Sequence, residues 1–204
     1  MLKQLLGFMM SDLVTVITPM YNSGKYIEET LESVISQTYE NWELFIIDDG
    51  SSDTCVELVS DFKKNDDRIK LIINEEAAIS RNIGIRKANG RYIAFLDSDD
   101  LWVPTKLEEQ INFMSKNQLA LSYSSYEKID EFGNHIKNIN VVYTQTTYHN
   151  LLKSNYIGCL TAMIDLKMME QKKIYMPNIT TRHDHGLWLD IVRRGFHVSG
   201  NPKV

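Results

Sequence analysis

"RYIAFLDSDDLW", residues 91–102, decides how the rest of this 204-residue chain is read. It opens as a short apolar run of β-forming residues and closes on three carboxylates, Asp97, Asp99 and Asp100. Desolvated like charges raise one another's pKa and cost stability. One aspartate would serve a turn or cap the next helix. Three directly after a buried strand require a cation. The donors are all oxygen, with no His or Cys beside them, which is the ligand set of Mg²⁺ or Mn²⁺. Mg²⁺ commonly rests on one or two carboxylates and completes its shell with substrate phosphates. The cation accounts for the carboxylates, and a diphosphate would account for the cation.

The residues before this stretch alternate between two periods. "LVTVIT" (13–18), "WELFIID" (42–48) and "RIKLII" (68–73) read as strands. Between them, Ile27, Leu31, Val34 and Ile35 recur at helical spacing behind Ser23 as a candidate N-cap, and Val56, Val59 and Phe62 share a face behind Ser51 or Ser52. "AAISRNIGIRKANG" (77–90) reads as a helix closed by Gly90. Such alternation means parallel strands with helices on both faces. Beyond residue 100 the pattern loosens. "PTKLEEQINFMSKN" (104–117) is a helix with Pro104 in its first turn, and "LALSYSSYEKID" (119–130) alternates like a half-exposed strand. "DEFGN" (130–134) is a turn, with a further strand expected after it through Val142. "CLTAMID" (159–165) reads as a buried strand, "LKMMEQKKI" (166–174) as a short helix, and "HDHGLWLDIVRRG" (183–195) as a helix stopped by Gly195. The expectation is one α/β domain over 13–204, with a mixed second half, behind a leader at 1–12.

If the first four strands order as 3-2-1-4, three polar runs meet at the carboxyl edge of the sheet, where open parallel sheets bind ligands. These are "TPMYN", "DDGSSD" and "DSDD". In the second run Gly50 makes the turn and a serine or Asp53 caps the helix, leaving Asp48 and Asp49 without structural work, one of them facing the crevice. A carboxylate only accepts hydrogen bonds. It matches the ring N–H of uracil or guanine and discriminates against cytosine. Pro19 lacks a backbone donor, and Tyr21 offers an aromatic face for a base. Late in the chain, Asp184 lies between His183 and His185 at a helix start. There a carboxylate can take a proton from a hydroxyl. Neighbours on a helix point apart, which weighs against the three as metal ligands.

Composition narrows the classes. Hydrophobic content of 43% and charged content of 24% are ordinary for a globular chain, and a net charge of −5 weighs against nucleic acid as a partner. Cys55 and Cys159 fit no metal-ligand spacing and read as reduced thiols of a cytoplasmic protein. No apolar run reaches the ~18 residues that span a bilayer. The head "MLKQLLGFMM" is apolar but short, which suits a fraying extension or peripheral contact with the inner face of a membrane.

Taken together, residues 14–53, 80–108 and 183–195 resemble the family 2 glycosyltransferases of the GT-A fold. The resemblance implies a Rossmann-like, mostly parallel sheet, a nucleotide-diphosphate-sugar donor with UDP favoured, a divalent metal, and inversion at the sugar carbon. It implies a glycan or lipid-linked acceptor and a role in polysaccharide synthesis. Carried over residue by residue, Pro19 and Tyr21 line the nucleotide, and Asp49 meets the base. Arg81 and Ser98 belong to the donor site. Asp97 and Asp99 form the DxD, with Asp99 as direct metal ligand, and Asp184 is the catalytic base. Two departures stand out. "NEEAAISRN" (74–82) lacks the glycine the family carries there, so mobility is expected between residues 74 and 78. The family's usual continuation past residue 204 is also missing, as in a shortened member. Three other readings compete. A haloacid-dehalogenase-type phosphohydrolase also places DxD after a strand, but near its N-terminus and with Thr or Val where Asp100 stands. A nucleotidyltransferase would need a glycine-rich loop after the first strand. A donor-binding module without turnover would need no Asp184.

Overall fold

The computed structural model describes residues 12–75, 79–136, 142–169, 173–179 and 181–202. The head and the centre of the glycine-poor segment, where mobility was expected, lie outside the described residues. The chain runs β1 (Val14–Met20), α1 (Ile27–Ile35), β2 (Trp42–Asp48), α2 (Cys55–Asn65), β3 (Ile69–Ile73), α3 (Ser80–Lys87), β4 (Tyr92–Phe95) and α4 (Lys106–Asn117). The second half adds β5 (Leu121–Ser124), the small hairpin β6 (Lys128–Ile129) and β7 (His135–Ile136), α5 (Tyr148–Lys153), β8 (Met163–Asp165), α6 (His183–Arg193) and β9 (Val198–Asn201).

Seven strands form one sheet in the order β3-β2-β1-β4-β8-β5-β9. The first four are parallel in the expected order, β8 runs antiparallel between β4 and β5, and β9 is parallel to β5. Strands β1, β2 and β4 read as unbroken apolar runs because both faces are covered. One face packs Leu31 and Val34 of α1, Val59 of α2 and Met114 of α4 against Val14, Val16, Leu44 and Ile46. The other packs Leu151 of α5 and Leu187, Trp188 and Ile191 of α6 against Ile17, Phe95 and Ile164.

The crevice follows from register. β1 pairs with β2 along its whole length, from Val14↔Trp42 to Met20↔Asp48, but with β4 only as far as Ile17↔Phe95. The Leu96 amide still bonds the Ile17 carbonyl at 3.1 Å, and then β4 departs. Along a strand, alternate residues turn their backbone groups to the same neighbour, so position 19 faces the side β4 has left. Proline there leaves no amide unpaired.

Several local expectations shift. Gly90 lies beyond the end of α3 without a positive φ. A Cβ there would stand 2.6 Å from the Leu13 carbonyl oxygen and 2.7 Å from the Thr15 nitrogen, so close backbone approach demands glycine. Neither Ser23, Ser51 nor Ser52 caps a helix with its side chain. The Ser23 carbonyl receives the Tyr26 and Ile27 amides, and Asp53 Oδ1 receives the Cys55 amide. α4 starts two residues after Pro104. β5 is buried rather than half-exposed, because β8 and β9 flank it and Gln110 of α4 donates to Ser122 Oγ at 2.9 Å, satisfying the polar position. The strand expected at 159–165 is a 3₁₀ turn, Cys159–Thr161, followed by three residues of β8. Residues 166–169 form turns rather than a helix start, and 170–172 lie outside the described residues. Gly195 has φ +83°, as a helix stop requires.

Arg91 fastens the two halves. Its guanidinium meets Asp165 of β8 through Nη2 at 2.6 Å and Nε at 3.1 Å, and Asp12 through Nη1 at 2.6 Å. The Asp165 side chain is 2% exposed, so without this partner it would be a buried charge with no counter-ion, held only by the Lys167 and Met168 amides. Arg91→Met is expected to cost about 3–5 kcal/mol, read as a lower urea midpoint at unchanged slope. Pairing it with Asp165→Asn should recover part of the loss.

Candidate active site

The loops leaving β1 and β2 are laced together. Asn22, in the left-handed region at φ +48°, accepts the Ser52 amide at 2.8 Å on its side-chain oxygen. The Gly24 amide donates to Asp53 Oδ2 at 2.7 Å. Asp48 does have structural work. It is 3% exposed and accepts from the amides of Gly50 and Ser51 and from the Ser51 hydroxyl, fixing the turn. Asp49 is the one that faces the crevice, held from the side by the Ser80 hydroxyl at 2.5 Å and the Asn74 side-chain amide at 2.7 Å.

The loop after β4 distributes its acids. The Asp100 amide bonds the Asp97 carbonyl at 3.1 Å, a tight turn that sends alternate side chains apart. Ser98 turns inward, its hydroxyl 2.6 Å from that of Ser23. Asp97 faces a cleft of about 560 Å³ that Pro19, Asp49, Ser80, Arg81, Cys159, Arg182, His183 and Asp184 also line. Asp99 and Asp100 instead border a neighbouring cavity of about 700 Å³. Tyr21 lines neither and is 63% exposed.

Charge in the cleft centres on Arg81, in the first turn of α3. Its Nη2 is ion-paired with Asp97 Oδ1, and its Nε is buried without a partner among the described residues. Asp184 also acts on this guanidinium. Burial raises the Asp100 carboxyl to about 7, and the charges of Asp97 and Asp99 push it the same way. Cys159 sits among these groups. Burial pushes its thiol far up; Arg81 opposes this, while Asp97 and Asp184 reinforce it, so it stays a neutral thiol. Asp184 lies in the first turn of α6, where the helix dipole favours a carboxylate. Asn155 donates to its Oδ2 at 3.3 Å. His185 points away, with Nε2 at 2.8 Å from the Leu151 carbonyl oxygen.

Pro19, Asp49, Arg81, Asp97 and Asp184 thus line one cleft, whereas Tyr21, Ser98 and Asp99 do not. Ser80, Cys159 and Arg182 line it without having been singled out. Ser80 adjoins Arg81 in sequence, but nothing in the spacing marks Cys159. Among the described residues, no three His, Cys, Asp or Glu side chains converge as a complete metal cage.

The family 2 glycosyl transferase model matches residues 15–172 of this chain. The chain belongs to that family. It is 42% identical over 184 residues to WfgD of Escherichia coli, named a UDP-Glc:alpha-D-GlcNAc-diphosphoundecaprenol beta-1,3-glucosyltransferase, covering 89% of this chain and 70% of that one. Among solved structures, TarS residues 1–349 of S. aureus in complex with UDP superposes with a TM-score of 0.74 at 22% identity, covering 94% of this chain and 58% of that one. The mannosyltransferase PcManGT of Pyrobaculum calidifontis, in complex with GDP-Man and Mn²⁺, gives 0.71 at 18% identity, covering 93% and 54%. At those identities the two structures establish the GT-A fold, and this chain spans little more than half of either. The phosphohydrolase alternative finds no support beside a matched transferase family.

Arg81→Leu would remove the ion-pair partner of Asp97 and the guanidinium on which Asp184 acts. Urea unfolding should register a loss of about 1–3 kcal/mol. Adding Asp97→Asn should restore part of it, since the two side chains form one coupled unit.

Proposed function

We propose that this glycosyltransferase moves a sugar from a UDP-sugar to a hydroxyl of a lipid-linked glycan acceptor, with inversion, in polysaccharide synthesis at the inner face of a membrane. The observation that carries the reading is that Asp49, Arg81, Asp97 and Asp184 line the same cleft at the strand ends. The UDP bound to TarS and the donor and acceptor in the WfgD name favour UDP and a lipid diphosphate. Among the described residues no helix is long and apolar enough to cross a membrane, so contact with such an acceptor would be peripheral.

Pro19 and Asp49 line the nucleoside end, where Asp49 accepts the ring N–H. Tyr21, exposed and outside the cleft lining, would have to be covered by the base. Arg81 meets the diphosphate, exchanging part of its pairing with Asp97. Ser98 acts through the loop it ties to Ser23. The donor chemistry suits a divalent cation, Mn²⁺ or Mg²⁺: Asp97 would supply a hard oxygen from the cleft, Asp99, which borders the neighbouring cavity, would join it once its side chain turns toward the cleft, and donor phosphates would complete the shell. When bound, the ion offsets charge that builds on the departing diphosphate. Asp184 takes the proton from the acceptor hydroxyl. The oxygen then forms its bond to the anomeric carbon as the bond to the diphosphate breaks, and attack opposite the leaving group inverts that carbon.

Free UDP released from UDP-glucose with Mn²⁺ and a lipid-diphosphate-sugar acceptor tests the reading. Binding without release would instead favour a non-catalytic module. Asp184→Asn keeps the helix start and removes the basic oxygen. It should leave UDP affinity nearly unchanged and cut transfer ~10²-fold or more; a fully active variant would remove Asp184 from the mechanism. Calorimetry with UDP and CDP checks Asp49. UDP should bind better by about 1–3 kcal/mol, and equal affinities would end that assignment.

A further inference from the structure

Two helix starts line the cleft. Ser80 and Arg81 stand in the first turn of α3, and His183 and Asp184 in the first turn of α6. A third segment, none of whose described residues lines the cleft, joins them. Next to Arg81, the Asn82 side chain makes two hydrogen bonds to a single residue 94 positions later in the chain. Its Nδ2 donates to the Met176 carbonyl at 2.9 Å, and its Oδ1 accepts the Met176 amide at 2.8 Å. The exchange is the one that opposed residues of an antiparallel ladder make. The segment is held from its other sides as well. Ile174 and Met176 are each 2% exposed and share a core cluster with Leu187 and Trp188 of α6, and the Ile179 amide closes on the Pro177 carbonyl at 2.9 Å.

Pro177 follows Met176 and presses on α6. A Cβ added at Gly186 would stand 2.4 Å from Pro177 Cγ and 3.0 Å from its Cδ, but 3.8 Å from its Cβ. Glycine in a helix is less stable than alanine through its backbone freedom alone. At this position the proline ring leaves no room for anything larger. Gly186 lies two residues after Asp184 on the same helix.

We propose that Asn82, Pro177 and Gly186 form a brace that sets the separation of Arg81 and Asp184, which makes Asn82 a positioning residue for transfer. The brace runs from the residue after Arg81 to the turn that carries Asp184, through two hydrogen bonds and one packed ring. It rests on the reading of Asp184 as the base. A base must meet the acceptor hydroxyl while the donor is held at Arg81, and a misplacement of about 1 Å can cost ~10²-fold in rate. Hydrogen bonds to the Met176 backbone alone would leave Asn82 a structural residue. The contact of Pro177 with the helix of the base is what links it to the chemistry.

The full chain is assayed for UDP release from saturating UDP-glucose with Mn²⁺ and the lipid-diphosphate-sugar acceptor, and UDP affinity is measured by calorimetry. Gly186→Ala adds a methyl that the rigid ring cannot accommodate, so the first turn of α6 must move. It should cut kcat ~10–100-fold with UDP affinity unchanged. Pro177→Ala removes Cγ and Cδ and leaves only the atom at 3.8 Å, an ordinary contact. Added to Gly186→Ala, it should restore most of the lost rate, a rescue that a role confined to folding would not show. Asn82→Asp keeps the shape but sets a carboxylate oxygen against the Met176 carbonyl, loosening the brace from its other end. It should lower kcat and spare UDP affinity, because α3 keeps its own anchor through Ser80 on Asp49. This variant also covers the case in which Gly186→Ala fails to fold. Three results overturn the brace: full-rate transfer in either folded variant, a rate that falls only in step with UDP affinity, or no gain from adding Pro177→Ala. Asp184→Asn run alongside separates the two readings. If it is fully active, the base assignment fails together with the brace that serves it; if it is slow while Gly186→Ala is not, the brace alone fails.

Discussion

Three carboxylates within four residues, set at the end of a buried strand opposite one buried guanidinium, are the constraint on which this molecule turns. Left in a flexible loop, Asp97, Asp99 and Asp100 would separate into water. Here the turn is closed by the Asp100 amide on the Asp97 carbonyl, pinned to the β1 loop by the Ser98–Ser23 hydroxyl pair, and tied to α1 by the Thr30 hydroxyl on the Asp100 carbonyl. Such crowding lasts only if the strand beneath cannot move. β4 is four residues long and anchored at its start by Arg91, which is itself locked to Asp165 and Asp12. The strand thus has a fixed cation at one end and a crowded acidic turn at the other. The first is satisfied within the protein, and the second faces the two cavities.

The first half of the fold was legible because its physics is local. Parallel strands buried on both faces announce themselves as apolar runs, and the helices between them carry one-sided stripes at 3.6-residue spacing. The second half resisted because its elements are set by partners distant in sequence. β5 alternates as if one face were wet, yet the polar position is satisfied by Gln110 from α4. α5 is six residues long, too short for a periodic signal, and begins at a Thr147 cap whose oxygen receives the Asn150 amide. Gly90 looked like a helix stop and is a point of close backbone contact, a distinction only the neighbouring strand can make.

Much the same holds for the candidate site. The convergence of three polar runs on one edge could be read from strand order alone, because parallel topology fixes which ends meet. Which side chain of each run turns into the cleft could not. Asp48 and Asp49 are adjacent, and their roles divide because one closes a turn and the other follows it. Asp97 and Asp99 are two apart on a turn rather than on a strand, so the period-2 rule that would align them does not apply. Cys159 and Arg182 come from the second half, where neither spacing nor composition marked them.

The division between Asp97 and Asp99 has a structural cause worth following through. The 3₁₀ turn Cys159–Thr161 forms the partition, with Cys159 lining the cleft that holds Asp97 and Asp184, and Leu160 and Thr161 lining the cavity bordered by Asp99 and Asp100. The Trp102 indole donates to the Leu160 carbonyl at 2.8 Å, so the loop after the acids is fastened to the partition itself. A short acidic turn can therefore present carboxylates to two chambers at once only because the second half of the chain builds the wall between them. The strongly patterned first half supplies the charges. The weakly patterned second half decides how they are shared out.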